Sequence, residues 1–477
     1  MKRLDAFGWS LVFAIAVFAA ATPLKVEAGG FQVTELCVKC QGNRNAGVAA
    51  RADTASTVFF NPAGMAWMSG TQTEFGGHYI DGSFEFKNID SVDSFGNPLS
   101  GTPSKDGAEP AFIPNFAITH EFSNRWSAGL SVNAPYGTVT KYDTEWVGRY
   151  HANKSDMLTI AINPAISYRF NEKWAIGGGI VYEYIDVTLS NNIDASTILN
   201  ELGAGLPPPI QGLLPPPADP RFDLDAKVDG DDWAWGFNLG AIWEPLPGTR
   251  IGIGYRSEID HELSGGALEV NASGPLQEII DQLPPGLPIP GDGVFPVKVG
   301  GTADVTMPQT VWLGLTHAIT EDWRVMAGGT WTEWSTFDEI VIELEDDGHI
   351  VQPENWSNSW RFGGGLEWDI RQDWTLRAGY EYDESPVPVK NNTARIPDED
   401  RHWLALGFTW RPDWHGVEVD FAYTHIFIND YLISEKEVFT EQLAESVTGV
   451  EGDLGNVLNG SYDSNADVWS LGIRWSF

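Results

Sequence analysis

VWSLGIRWSF, residues Val468–Phe477, alternates strictly between two kinds of side chain. Trp469, Leu471, Ile473, Trp475 and Phe477 are large and apolar, and Ser470, Gly472, Arg474 and Ser476 between them are small or polar. A period of two marks a β-strand with two unlike faces. The same strip recurs along the chain. MLTIAINPAISYRF (157–170) puts Leu158, Ile160, Ile162, Pro164, Ile166, Tyr168 and Phe170 on one face. WAWGFNLGAIW (233–243) and VEVDFAYTHIF (417–427) repeat the pattern with tryptophan, phenylalanine and valine.

The joints between strips are also regular. FSNRWSAGLSV, FNEKWAIGGGI, ITEDWRVMAGG and IRQDWTLRAGY each run from an apolar residue through a tight polar turn to a tryptophan: Trp126, Trp174, Trp323 and Trp374. Indoles at one height beside short turns are what an interfacial girdle requires. The alternation predicts fourteen strands, at 72–86, 112–122, 126–136, 157–170, 174–189, 233–243, 250–259, 308–319, 323–334, 359–368, 374–383, 402–410, 417–427 and 467–477. Connections after even strands are short and those after odd strands are long. An even strand number with short turns at one end and long loops at the other defines an all-β, antiparallel transmembrane β-barrel. Hydrocarbon offers backbone groups no partner, so the sheet must close on itself. A soluble sandwich or propeller also alternates, but needs neither aromatic strips on nearly every strand nor this loop asymmetry. The last strand is expected to pair with the first.

The remaining composition bounds the rest. The basic start Met1-Lys2-Arg3, the apolar run Leu11–Ala21 and the small residue Ala28 predict a signal peptide over 1–28. No later run reaches the roughly 18 apolar residues of a spanning helix. Lysine and arginine total 29 against 66 aspartate and glutamate, a net charge of −37, which argues against a nucleic-acid partner. Cys37 and Cys40 in CVKC suit a local disulfide in an exported chain, with a redox motif as the alternative; no further ligands stand nearby for a metal. No cofactor motif and no catalytic constellation stand out. The nine histidines form no motif, and the acidic runs Asp229–Asp232 and Glu345–Gly348 lack a calcium-loop pattern and read as solvated loops.

Residues 29–70 do not alternate and are rich in small residues, which suits either a periplasmic tail or a plug inside the lumen of a barrel spanning 71–477. Here the sequence resembles the FadL-type long-chain fatty acid transporter family, including its TodX-like members. The resemblance is carried in order by GGFQ (29–32), AARADTASTVFFNPAGM (49–65), SVNAPYG (131–137), WVGRY (146–150), INPAISYRFNEKW (162–174), WTEWSTF (331–337) and LRAGYEYDESPVP with ARIPDEDRHW (376–388, 394–403). CVKC departs from it, since relatives more often carry small residues there. The resemblance implies a fourteen-stranded barrel with an N-terminal hatch over 29–70. It implies passive inward movement of a hydrophobic molecule, captured by long extracellular loops, held in an inner pocket and released sideways through a gap in the wall. Uptake of alkanes or monoaromatic hydrocarbons is the alternative; a polar porin and a lipid enzyme are further rivals. The expected partners are the ligand, outer-membrane lipid and lipopolysaccharide, and the barrel-assembly machinery, whose signal the final Phe477 resembles. A monomer is expected.

Several residues become candidates. Ile198, Leu199, Leu202 and Leu206 stand near helical spacing, and Leu276, Ile279, Ile280 and Leu283 form an amphipathic stripe. They read either as packing partners or as walls of an outer capture groove, which the resemblance favours. Asn133, Pro135, Tyr136 and Gly137 interrupt the third strand, because proline donates no ladder bond. That break is either the strand's end or, as the resemblance implies, a kink that opens the wall. Asn61-Pro62-Ala63 is a turn that the resemblance places at the gate, and Phe31 is the resemblance's candidate for the inner pocket. Arg361 and Arg377 are candidate partners for a ligand carboxylate, with salt bridges to lumenal acids as the favoured reading.

Overall fold

The polypeptide rises and falls as fourteen staves of one closed antiparallel sheet in a computed structural model that describes residues 30–203, 208–212, 214–283, 294–345, 348–448 and 453–477. The predicted signal peptide 1–28 and Leu206 lie outside the described residues. The staves are β1 Thr71–Asn88, β2 Ala111–Ser123, β3 Trp126–Asn133 resuming at Gly137–Lys141, β4 Lys154–Arg169, β5 Trp174–Ile193, β6 Leu224–Leu246 and β7 Thr249–Arg256 resuming at Ile259–Ala272. They continue with β8 Val297–Met307 and Thr310–Ala318, β9 Trp323–Thr332 resuming at Glu339–Leu344, β10 Ser359–Arg371, β11 Trp374–Asp383, β12 Arg401–Trp410, β13 Val417–Ile428 and β14 Val457–Ser476. Each pairs with its sequence neighbours. β14 pairs with β1 from Gln72 opposite Ser476 to Asn88 opposite Gly460, which closes the ring. All fourteen expected strands are present.

The outward face is apolar over one band. Ile176, Ile180, Phe237, Leu239, Ile251, Ile253, Leu404 and Leu471 are all exposed. The turn tryptophans pair with aromatic rings on the next stave: Trp174 stacks on Trp243 with ring centres 5.4 Å apart, Trp323 on Trp368 at 5.0 Å, and Trp374 on Trp410 at 6.3 Å. Ten residues up β5, Tyr182 and Tyr184 stack against Trp233 and Trp235. Ten residues of strand rise about 33 Å along a tilted axis, close to the ~25 Å of a barrel's lipid band.

The strands run further at the long-loop end than the alternation predicts. β6 starts at Leu224 and β14 at Val457, and Asp229–Asp232 lie within β6 rather than in a loop. The reason is physical. Asp229 and Asp231 share the outward face with Trp233 and Trp235 but stand above the aromatic band, in water. Above lipid, a sheet has no need of an apolar outer face, so the hydrophobic strip ends while the hydrogen-bonded ladder continues.

Candidate functional site

Residues 30–70 are buried almost throughout and meet the inner wall on every side. The wall admits them because it is lined with glycine. A Cβ on Gly252 of β7 would fall 2.0 Å from the Ala49 carbonyl oxygen, and one on Gly240 of β6 would fall 1.9 Å from Asn61 Oδ1. Gly379 of β11 lies as close to Asn43, and Gly472 of β14 is covered by Val38. Cys37 and Cys40 are joined by a disulfide in the first turn of this segment. Its charges pair with acids of the wall: Arg44 Nη2 lies 3.0 Å from Glu381 and Arg51 Nη2 lies 3.3 Å from Glu367.

Asn61-Pro62-Ala63 forms a capped turn against β4, β5 and β6. The Asn61 side chain accepts from Ala63 N–H at 3.1 Å and donates to the carbonyls of Ala49 (2.6 Å) and Ala241 (3.1 Å). Each polar atom of that amide is therefore used in fixing the segment to the wall.

The interruption of β3 leaves a window. β2 and β3 pair from Phe116–Val132 down to Ser123–Trp126, and an isolated bridge joins Ala108 to Thr140 above. Between these, the β3-facing edge of Ala111–Asn115 has no ladder partner among the described residues. The backbone at Pro135 turns inward instead. Val33 N–H donates to Pro135 O at 2.8 Å, and Gly137 N–H donates to Phe31 O at 2.9 Å. The Tyr136 hydroxyl crosses to Pro308 O at 2.9 Å, where β8 is itself interrupted. Asn133 is buried at the lower margin of the break.

Phe31 packs edge-on to Trp334 (4.6 Å between ring centres) and Phe337 (5.1 Å), with Trp356 and Tyr136 completing an aromatic cage. One side of this cage opens on an apolar cavity of about 80 Å³ that is partly open to solvent. Phe31, Met157, Leu263, Val305, Phe337 and Ile342 supply apolar wall, and Glu354 and Arg395 bring polar atoms to it. Glu354 accepts from the Trp356 indole N–H at 3.1 Å, and burial pushes its carboxyl up to about 8. Arg395 Nη2 donates to Asn191 Oδ1 at 2.8 Å, and burial lowers its pKa.

Arg361 and Arg377 do not line this cavity. Arg377 donates to Glu367 (2.6 Å) and Thr409 (2.7 Å), and Arg361 donates to Gln32 Oε1 at 2.6 Å beside Asp383. Both are held in lumenal polar pairs.

At the long-loop end, the helix Ala195–Gly203 and the helix Gly274–Ile280 face each other. Ile198, Leu199, Leu276 and Ile280 are buried, and Leu202, Ile279 and Leu283 are partly covered. They pack together, yet with Phe295 they also leave a second, small apolar space of about 20 Å³. Glu354 and Arg395 escape a reading of sequence because loop residues carry no period. The one cue is local: Arg395 is flanked by apolar Ala394 and Ile396.

A closed sheet with an apolar outer band, a filled lumen and an internal greasy cavity defines an outer-membrane barrel that handles hydrophobic molecules rather than a water-filled pore. The chain belongs to the outer membrane protein transport family (OMPP1/FadL/TodX), whose profile matches residues 18–477. A long-chain fatty acid transport protein of Escherichia coli O6:H1 is 25% identical over 471 residues, 97% of each chain. Outer membrane protein P1 of Haemophilus influenzae is 26% identical over 494 residues, 96% of this chain and 98% of its own. Among solved structures, a Pseudomonas aeruginosa FadL homologue superposes with a TM-score of 0.82 at 24% identity, covering 94% of this chain and all of its own. The Ralstonia pickettii toluene transporter TbuX reaches 0.62 at 18% identity, covering 93% and 100%. This protein is an outer-membrane β-barrel of that family.

Proposed function

We propose that this protein is a passive outer-membrane transporter of long-chain fatty acids or similar hydrophobic molecules, and not an enzyme. The single observation that carries the reading is the apolar cavity beside an unpaired window in the barrel wall. Ligand first partitions into the groove between the helices Ala195–Gly203 and Gly274–Ile280, passes to the cavity beside Phe31, and leaves sideways into lipid near Asn133–Gly137. Residues 29–70 act as the hatch, and Asn61-Pro62-Ala63 fixes it to the wall. The names of relatives at 25–26% identity favour fatty acids, and those of structural neighbours include monoaromatic hydrocarbons as the alternative. Lipid and lipopolysaccharide surround the barrel, the assembly machinery inserts it, and it acts as a monomer.

Reconstitution into liposomes tests this. Labelled oleate, or toluene on the alternative, should enter faster than into empty vesicles, with no large ohmic conductance. A steady, porin-sized conductance without uptake of either compound would replace the proposal with a polar pore.

A further inference from the structure

The wall has a second break, on the other edge of the panel β4–β6. β6 pairs with β7 from Leu246 opposite Thr249 to Asn238 opposite Arg256, and again from Asp231 opposite Ser264 to Leu224 opposite Ala272. Between those stretches, residues 232–237 of β6 enter no ladder with β7 among the described residues, although they stay paired with β5. Two clasps, each using a side chain, span the gap instead. At its lower end the Ser257 N–H donates to Phe237 O at 2.9 Å, and the Ser257 hydroxyl accepts from the Phe237 N–H at 3.0 Å. At its upper end Asp232 Oδ2 accepts from the Glu262 N–H at 3.3 Å and lies 3.2 Å from His261 Nδ1. Trp233–Gly236 are left between the clasps, along a slit about 13 Å long.

The slit stands at the level of the break at Pro135. The rung through Asn133 runs by Ala161 and Glu183 to Ala234, inside the slit. The rung through Gly137 runs by Leu158 and Asp186 to Asp231, where pairing with β7 resumes. Behind the slit stand Ala234, Ile259 and Leu263, which belong to the same buried apolar cluster as Phe31, and Leu263 lines the cavity. Ile259 closes it from within: a Cβ on Gly236 would fall 2.6 Å from Ile259 Cγ1. Outside, Trp235 is 65% exposed and stacks on Tyr182, while Glu258, Asp260 and Glu262 on the β7 lip are exposed. Rings on one lip and carboxylates on the other place the slit where lipid meets water. Hydrocarbon would not tolerate unpaired backbone there, whereas an interface does.

We propose that this slit is a second lateral port, through which an apolar molecule passes between the cavity and the interface of the outer leaflet, with Ile259 as its flap and Asp232 as its clasp. The proposal rests on the transport reading above and adds a route in parallel with the break at Pro135. Moving the Ile259 side chain aside joins the cavity to the slit and breaks no ladder bond between β6 and β7, since that part of the ladder is missing. The moving side of the seam stays in the sheet, because Ile259–Leu263 remain paired with β8 from Met307 to Ala303.

The test locks the seam. Gly236→Cys with Ile259→Cys puts two thiols within disulfide reach, given the 2.6 Å approach of these positions. In proteoliposomes of the whole mature chain, the oxidised double variant should take up tritiated oleate and toluene about two-fold more slowly than the reduced one, with the wild type under the same treatments as control. Combined with Pro135→Ala and Gly137→Val, the cross-link should bring the remaining uptake down to that of empty vesicles. Equal rates for the oxidised and reduced forms, or a remainder that the cross-link leaves untouched, overturn the port. If the cross-link does not form, Asp232→Ala decides: loss of the clasp should raise uptake about three-fold in barrels of normal heat-modifiable migration, and an unchanged or lower rate overturns the port. A wild type that moves neither compound overturns the transport reading itself, and is distinguished by needing no variant.

Discussion

Val33 donates its backbone N–H to the carbonyl of Pro135 at 2.8 Å, so the N-terminal segment is hydrogen-bonded to the one place where β3 has left the wall. The bond exists because Pro135 cannot pair with β2 and the chain around it turns into the lumen, offering its carbonyl there. Phe31, two residues before Val33, sits in the cavity wall. Cavity and window are thereby linked through three residues of backbone.

Straightening β3 should close the window. In the double variant Pro135→Ala with Gly137→Val, residue 135 regains an N–H, and valine favours an extended strand. Uptake of labelled oleate by proteoliposomes is expected to fall several-fold while heat-modifiable migration on gels, the sign of an assembled barrel, stays normal. Unchanged uptake would rule out lateral exit at this break.

Truncating Phe31 should loosen the N-terminal segment without touching the wall. Its ring is 1% exposed and meets four aromatic side chains, so Phe31→Ala is expected to cost about 3–5 kcal/mol locally. Hydrogen exchange at residues 31–36 should quicken by orders of magnitude while β1–β14 stay protected. Equal protection in the variant would show that the cage does not hold the segment.

The wall glycines make a complementary prediction. A side chain at Gly252 meets backbone, the Ala49 carbonyl and the Ala50 Cα, which cannot rotate away. Gly252→Val should therefore leave an assembled barrel whose residues 30–70 become sensitive to protease and whose ion conductance rises above the wild type. Wild-type conductance and protection would mean the segment seats without that close approach.

How much of this was legible depends on which solvent each residue faces. Lipid imposes alternation, so Trp233, Trp235 and Phe237 announce β6, whereas Lys227, Asp229 and Asp231, on the same face but in water, leave no trace of the strand they belong to. Inside, the glycines opposite residues 30–70 look like loose strand positions until the segment is laid against them. The break at Pro135 is visible because proline lacks a donor, but what its carbonyl binds is a contact across about a hundred residues. Arg361 and Arg377 stand out by strand register, and that register points them at lumenal acids. Arg395 and Glu354 lie in irregular backbone, where no period says which way a side chain points.

The Cys37–Cys40 disulfide closes a very short loop inside the N-terminal segment. The chain-entropy relation gives about 2 kcal/mol for a loop of that size. Cys37→Ser with Cys40→Ser should accordingly speed exchange of residues 36–46 by roughly thirty-fold, since each 1.4 kcal/mol is about a factor of ten, and leave oleate uptake near normal. Loss of the whole barrel would show a role in assembly that the entropy relation does not contain.

The outer loops should respond to pH through Glu437. Its side chain is 2% exposed and accepts from the Thr440 N–H at the start of the helix Phe439–Thr448. Burial, with a smaller push from Asp194, raises its carboxyl from 4.5 to about 8. In the loosened loop the group would titrate near 4.5, so between that pH and about 8 the packed form holds a proton that the loosened form lacks. Loop packing is therefore strongest below about pH 4.5, weakens by about 1.4 kcal/mol per pH unit as pH rises, and levels off above about 8. Hydrogen exchange of residues 439–445, corrected for its intrinsic pH dependence, should show that slope. Glu437→Gln keeps an acceptor and carries no charge, so it should flatten the slope. A slope that survives this substitution would assign the titration to another group.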